Sequence, residues 1–313
     1  MRTIHLLAAL PLTGLFAGQA FAQACNKPLT LTNEIQMEST AGGPSSIPVK
    51  INGADQNLTL ATAGTTTQLS EDAAKALNLE IERGDVTLTD ERGNVSRNQV
   101  TIADFSMGRL HGTNVKWPIS PGNGKGGLFS LNYMRLYDVD VDFGNDKLRL
   151  FSQDHCPGAV LYWKAPGAVG TVPITIDNGR VTVPVMVDGK AITGVIDTAS
   201  AGSSVYAAIA EKVLGIDTSN TKSLTAKTVG IGQLTLNDVS FMVRPDINSQ
   251  GSGDRARDLR VKKTGIDFEM AHPEVNLGMD VLRKLHLYMA FGENKLYVTG
   301  TTGTPPAAAA KTP

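Results

Sequence analysis

An internal repeat constrains this 313-residue chain more than any other feature. Ile47-Pro48-Val49-Lys50-Ile51-Asn52-Gly53 aligns with Val183-Pro184-Val185-Met186-Val187-Asp188-Gly189. Each is an alternating apolar run that ends in Asn-Gly or Asp-Gly, the strongest short-range signal for a tight β-hairpin. Past the glycine, each second strand ends in small polar residues, at Leu60-Ala61-Thr62-Ala63-Gly64 and at Ile196-Asp197-Thr198-Ala199-Ser200. A helix-like segment follows in both copies, Glu71 to Leu79 and Ala207 to Leu214. Further on, Met107-Gly108-Arg109-Leu110 matches Ile231-Gly232-Gln233-Leu234, and Asp142-Phe143-Gly144-Asn145-Asp146-Lys147-Leu148 matches Ala290-Phe291-Gly292-Glu293-Asn294-Lys295-Leu296. Matches in the same order over so long a span indicate a duplicated domain. Short alternating runs rich in Val, Ile, Leu and Thr, broken by glycine-bearing turns, predict an all-β chain with few helices.

Each copy resembles a lobe of an aspartic protease of the retropepsin or pepsin type. Such a lobe opens with a hairpin leading to Asp-Thr/Ser-Gly, carries a flap hairpin, and later has an apolar-apolar-Gly strand end before a short helix. In the second copy, Asp197-Thr198-Ala199 takes the first of these positions and Asn276-Leu277-Gly278 the second, with Met279 to Arg283 as the short helix. In the first copy the counterparts are Ala61-Thr62-Ala63 and Leu128-Phe129-Ser130. The resemblance implies two tandem retropepsin-like (acid protease) β-barrel lobes related by pseudo-twofold symmetry. It covers roughly residues 45–152 and 171–299. It also makes Asp197 the candidate catalytic carboxylate, Thr62 and Thr198 the residues that lock the two loops together, and Ala61 a vacated catalytic position.

That vacancy bears on chemistry. The family uses two carboxylates that share a proton, one acting as base on water and the other as acid toward the scissile carbonyl. One carboxylate cannot do both in the same step, and losing a positioned acid–base group typically costs ~10²–10⁴ in rate. Both glycines of the motif are alanine here, Ala63 and Ala199, so a methyl group stands where backbone usually approaches closely. Three functions follow: an acid peptidase that recruits its second Asp by homodimerisation, a pseudo-protease that binds extended peptide by strand addition, or a structural protein of the envelope.

Met1-Arg2, an apolar stretch from Ile4 to Phe16 and Ala20-Phe21-Ala22 form a signal peptide over 1–22, so the expected location is periplasmic. No later run reaches the ~20 apolar residues of a membrane span. An N-terminal arm (23–44), lobe 1 (45–153), a Pro/Gly-bearing linker (154–170), lobe 2 (171–299) and a disordered tail (300–313) complete the chain. Within lobe 1, Val86 to Thr101 reads as a hairpin with Glu91, Arg92 and Gly93 at its tip, the flap candidates. The stretch Arg244 to Glu274 is an insertion in lobe 2, with Gly/Ser-rich and basic parts. Two cysteines allow either a Cys25–Cys156 disulfide in an oxidising compartment or a lipid anchor at Cys25 with a free Cys156.

Other chemistries are disfavoured. A formal net charge of −1 becomes −2 once Arg2 leaves with the signal, which argues against nucleic acid as a partner. His111, His155, His272 and His286 lack metal-ligand spacing, and neither C-x-x-C nor H-E-x-x-H occurs, so no metal or other cofactor is expected. Ser200, Ser203 and Ser204 lie near Asp197 without a G-x-S-x-G elbow, which suits hydrogen bonding better than nucleophilic attack. The expected partner is a peptide or protein.

Overall fold

The computed structural model describes residues 25–89, 94–121, 126–245 and 274–301. It is a β protein of three sheets, with only short helices among the described residues. The repeat sets the local geometry. Strands Ser45–Ile51 and Ala54–Ala61 meet at Asn52-Gly53, and strands Arg180–Val187 and Lys190–Ile196 at Asp188-Gly189. All four turn residues have positive φ, between 47° and 81°, which matches the right-handed strand twist and which Asn, Asp and Gly tolerate best. Each turn is also tied to a later strand in the same way. Asn52 Oδ1 accepts from Asp104 N at 2.9 Å, and Asp188 Oδ1 accepts from Thr228 N at 2.8 Å. The alternation decides which side is buried: Ile47, Val49 and Ile51 face inward, as do Val183, Val185 and Val187, while Pro48 and Pro184 are exposed.

Lobe 1 closes around an eight-stranded sheet and lobe 2 around a seven-stranded one. The long hairpin Val95–Met107/Leu110–Pro118 of lobe 1 has its counterpart in Ser223–Ile231/Leu234–Arg244 of lobe 2. Lobe 1 adds the strand Ile81–Thr89 on the free side of Val95–Met107, forming the flap-like hairpin, and lobe 2 has no equivalent among the described residues. The expected helices are shorter than the sequence suggested. The first spans Glu71–Ala76, with Ser70 Oγ capping Ala73 N at 3.1 Å. The second is one turn, Ala207–Ile209, that widens into the π-helical turn Ala210–Leu214 and stops at Gly215, φ 75°.

The third sheet joins the lobes. Its order is Leu31–Gln36, Lys147–Phe151, Asp138–Asp142, Leu285–Ala290, Lys295–Gly300, Gly170–Pro173, three strands from each half. The pseudo-twofold axis passes between Asp138–Asp142 and Leu285–Ala290, which pair antiparallel with Asp140 opposite Tyr288. On one face, Val139, Val141, Leu287 and Met289 join a hydrophobic core continuous with both lobes. The other face is polar and yet buried. Asp138, Asp140, His286 and Tyr288 lie there, beneath the segment that carries His155, Val160, Tyr162 and Trp163. Trp163 stacks on His286 with ring centres 4.1 Å apart. A disulfide between Cys25 and Cys156 ties the covering segment to the start of the described chain.

Burying three carboxylates on one strand is costly unless each is paired. Asp138 accepts from Gly292 N at 3.0 Å and faces His155 Nε2 at 2.6 Å. Asp140 meets His286 Nε2, the Tyr162 hydroxyl, and Arg149 Nη1 at 2.9 Å. Asp142 accepts from Asn145 through its backbone N and, at 2.8 Å, its side-chain amide. None of the described helices is long and apolar enough to cross a membrane.

Candidate active site

In each lobe a buried strand delivers the site residue alongside a parallel partner. Ala54–Ala61 runs parallel to Gly127–Ser130, and Lys190–Ile196 runs parallel to Glu274–Leu277. Both partners lead into a single helical turn, Leu131–Met134 and Met279–Leu282. The turns hold the preceding loops through their first backbone amides: Leu131 N donates to Gly64 O at 3.2 Å, and Met279 N to Ser200 O at 2.9 Å. The geometry thus brings Ala61 and Asp197 to equivalent positions at the junction of the lobes.

Thr62 and Thr198, both fully buried, bind each other's strands across that junction. Thr62 Oγ1 donates to Ile196 O at 2.6 Å and accepts from Thr198 N at 3.2 Å. Thr198 Oγ1 donates to Leu60 O at 2.6 Å and accepts from Thr62 N at 3.1 Å. Both hydroxyl protons are committed to carbonyls, so the 3.3 Å separation of the two oxygens is a contact within this four-bond lock. Val181 N adds a further inter-lobe bond to Thr62 O at 3.1 Å.

Asp197 is half-buried and surrounded by neutral donors. Its Oδ1 accepts from Ala199 N at 3.0 Å. Its Oδ2 accepts from Ser200 Oγ at 2.6 Å and from Asn276 Nδ2 at 3.2 Å. Ser200 therefore serves the carboxylate. Asn276 does as well, at a position where the family pattern has an apolar residue, and its donor role is not evident from the motif. Opposite, Ala61 offers only a fully buried methyl. Beside it the Ser130 hydroxyl is buried without a hydrogen-bond partner among the described residues. A Cβ built on Gly64 would lie 2.7 Å from Ser130 Oγ and 3.4 Å from Ala61 Cβ, so the lobe 1 loop packs closely over Ala61.

The structure also contains a repeated clamp that the sequence reading did not find. Thr67 Oγ1 accepts from Ser130 N at 3.0 Å and donates to Asn132 Oδ1 at 2.8 Å. In lobe 2, Ser203 Oγ accepts from Gly278 N at 3.0 Å and donates to Asp280 Oδ1 at 2.7 Å. The signal was available, as Thr67/Ser203 and Asn132/Asp280 fall at equal offsets from Ala61/Asp197 and Ser130/Gly278. Glu91, Arg92 and Gly93, the flap candidates, lie outside the described residues, as do the segment 1–22 and most of the insertion and tail.

Residues 47–135 match the family model described as gag-polyprotein putative aspartyl protease. The match falls on lobe 1, the lobe that carries Ala61. Among solved structures, the chain is similar to the aspartic proteinase from Irpex lacteus at 13% identity, covering 88% of this chain and 99% of that one, with a TM-score of 0.54. No curated protein matches. The family match is confined to lobe 1, and the structural match concerns the fold: two β lobes about a shared sheet, as in an aspartic proteinase.

Proposed function

We propose that this chain is a pseudo-protease: an aspartic-protease scaffold that binds extended peptides between its lobes without hydrolysing them. The observation that carries this reading is the pairing of Asp197 with the buried methyl of Ala61 across an intact threonine lock. A single carboxylate cannot act as general base and general acid in one step. Nor does dimerisation offer an economical remedy. The place a second chain's Asp would need is held by lobe 1 itself, through four hydrogen bonds and a shared six-stranded sheet. An exported, periplasmic setting goes with this reading, and a Cys25–Cys156 disulfide supports an oxidising compartment.

The test is a peptide library incubated with purified protein in acid and at neutral pH, read by mass spectrometry for cleavage and by fluorescence polarisation for binding. Binding without cleavage is expected. Cleavage that disappears in Asp197→Asn would instead establish a peptidase and make the source of its second acid the next question.

A further inference from the structure

We propose that the cleft recognises a cationic group on its ligand, a lysine or arginine side chain or a free α-amino group, and that Asp197 is the residue that reads it. The inference rests on the peptide binding proposed above and names the class of peptide.

Asp197 is partly exposed, and among the described residues every donor to it is neutral: the Ala199 amide, the Ser200 hydroxyl and the Asn276 carboxamide. These donors fix the carboxylate's orientation and leave its charge in place. A carboxylate has about four lone-pair sites. Oδ2 takes two of the three donors and Oδ1 takes one, so the unused acceptor site is on Oδ1. No described lysine, arginine or histidine forms an ion pair with Asp197. Arg180, which opens the strand paired with Lys190–Ile196, is engaged with Glu274 at 2.7 Å and Asp177 at 3.3 Å.

In a two-acid site the opposite carboxyl shares its proton with this carboxylate. Here the opposite side chain is the methyl of Ala61, which brings neither proton nor charge. What remains is a single oriented anion beside an apolar wall, and the ligand group that complements it supplies both a donor and a positive charge. A neutral amide supplies only the donor, and an acidic group is repelled.

The experiment uses short alanine-based peptides and the full-length protein. One peptide carries a central lysine and an acetylated N-terminus, its twin has norleucine in place of lysine, and a third has norleucine with a free N-terminus. The lysine or the free-amine peptide is expected to bind roughly ten- to a hundredfold more tightly than the blocked norleucine twin, as for a charge-assisted hydrogen bond. Which of the two gains shows which source of the cation the cleft takes. The advantage should vanish in Asp197→Asn, which removes the charge and keeps the shape. In the wild-type protein, and independently of any variant's folding, it should shrink as salt is added. Equal binding of all three peptides, or an advantage indifferent to salt, overturns the cation reading and leaves peptide binding standing. Failure of every peptide to bind overturns both.

Discussion

His155 shows how a single residue can be decisive and still be invisible in a sequence. Both of its ring nitrogens face acceptors, Nε2 toward the Asp138 carboxylate and Nδ1 toward Cys156 O at 3.1 Å, an arrangement that only the doubly protonated ring fully satisfies. Burial pulls its pKa down, but the hydrogen bonds to Asp138 and Cys156 and the charges of Asp138 and Glu293 outweigh this and leave it raised. A raised folded-state pKa means stabilisation that is fully present below the ordinary value of about 6.5 and lost as pH rises through the raised one. His155→Gln should therefore cost about 3 kcal/mol in weak acid, because it leaves Asp138 without its buried partner, and the cost should shrink on the alkaline side. Urea unfolding of the two proteins across that range checks this, and a cost that grew with pH would contradict it. The places of Asp197, Thr62, Thr198 and Ala61 at the junction of the lobes were legible because each sits in a local motif that occurs twice. His155 and Asp138 were not, because Asp-Val-Asp-Val-Asp has the alternation of a strand with one wet face. Only the folded chain shows that the linker covers that face.

At the scale of elements, the hairpins were legible and their assembly was not. Asn-Gly and Asp-Gly turns specify two-residue hairpins from local chemistry alone. The antiparallel pairing of Asp138–Asp142 with Leu285–Ala290, and the clamps that fasten Thr67 to Asn132 and Ser203 to Asp280, link residues far apart in the chain and leave no local trace beyond their repetition. The threonine lock belongs to this scale, since each side chain holds the end of the other lobe's strand. Thr62→Val keeps the shape but strips Ile196 O of its donor and Thr198 N of its acceptor. Two buried groups left unpaired should cost about 2–5 kcal/mol. The double variant Thr62→Val/Thr198→Val should fall short of the sum of the two singles, since all four bonds share one site. Thermal or urea unfolding of the three variants measures both effects, and strict additivity would show that the two threonines act separately.

For the molecule as a whole, the disulfide has the widest reach. Cys25 and Cys156 are 131 residues apart, so the closed loop contains lobe 1 entire. Closing a loop of that length restricts the unfolded chain by about 5 kcal/mol in the chain-entropy model. The variant Cys25→Ser/Cys156→Ser should unfold at correspondingly lower urea, and the wild type under reducing conditions should follow it. Insensitivity to reductant would show that the stabilisation of this fold owes little to the link. Two-lobe organisation was legible from the repeat; that both halves complete one sheet was not.

The axis between Asp138–Asp142 and Leu285–Ala290 has an evolutionary consequence. In an assembly of two identical chains, every substitution is made twice, and an acid lost from one subunit is lost from both. Fusion of the copies into one polypeptide lifts that restriction. Each side of the axis can then drift alone, so the chain can carry a methyl at position 61 and, at its twin position 197, a carboxylate held by three hydrogen-bond donors.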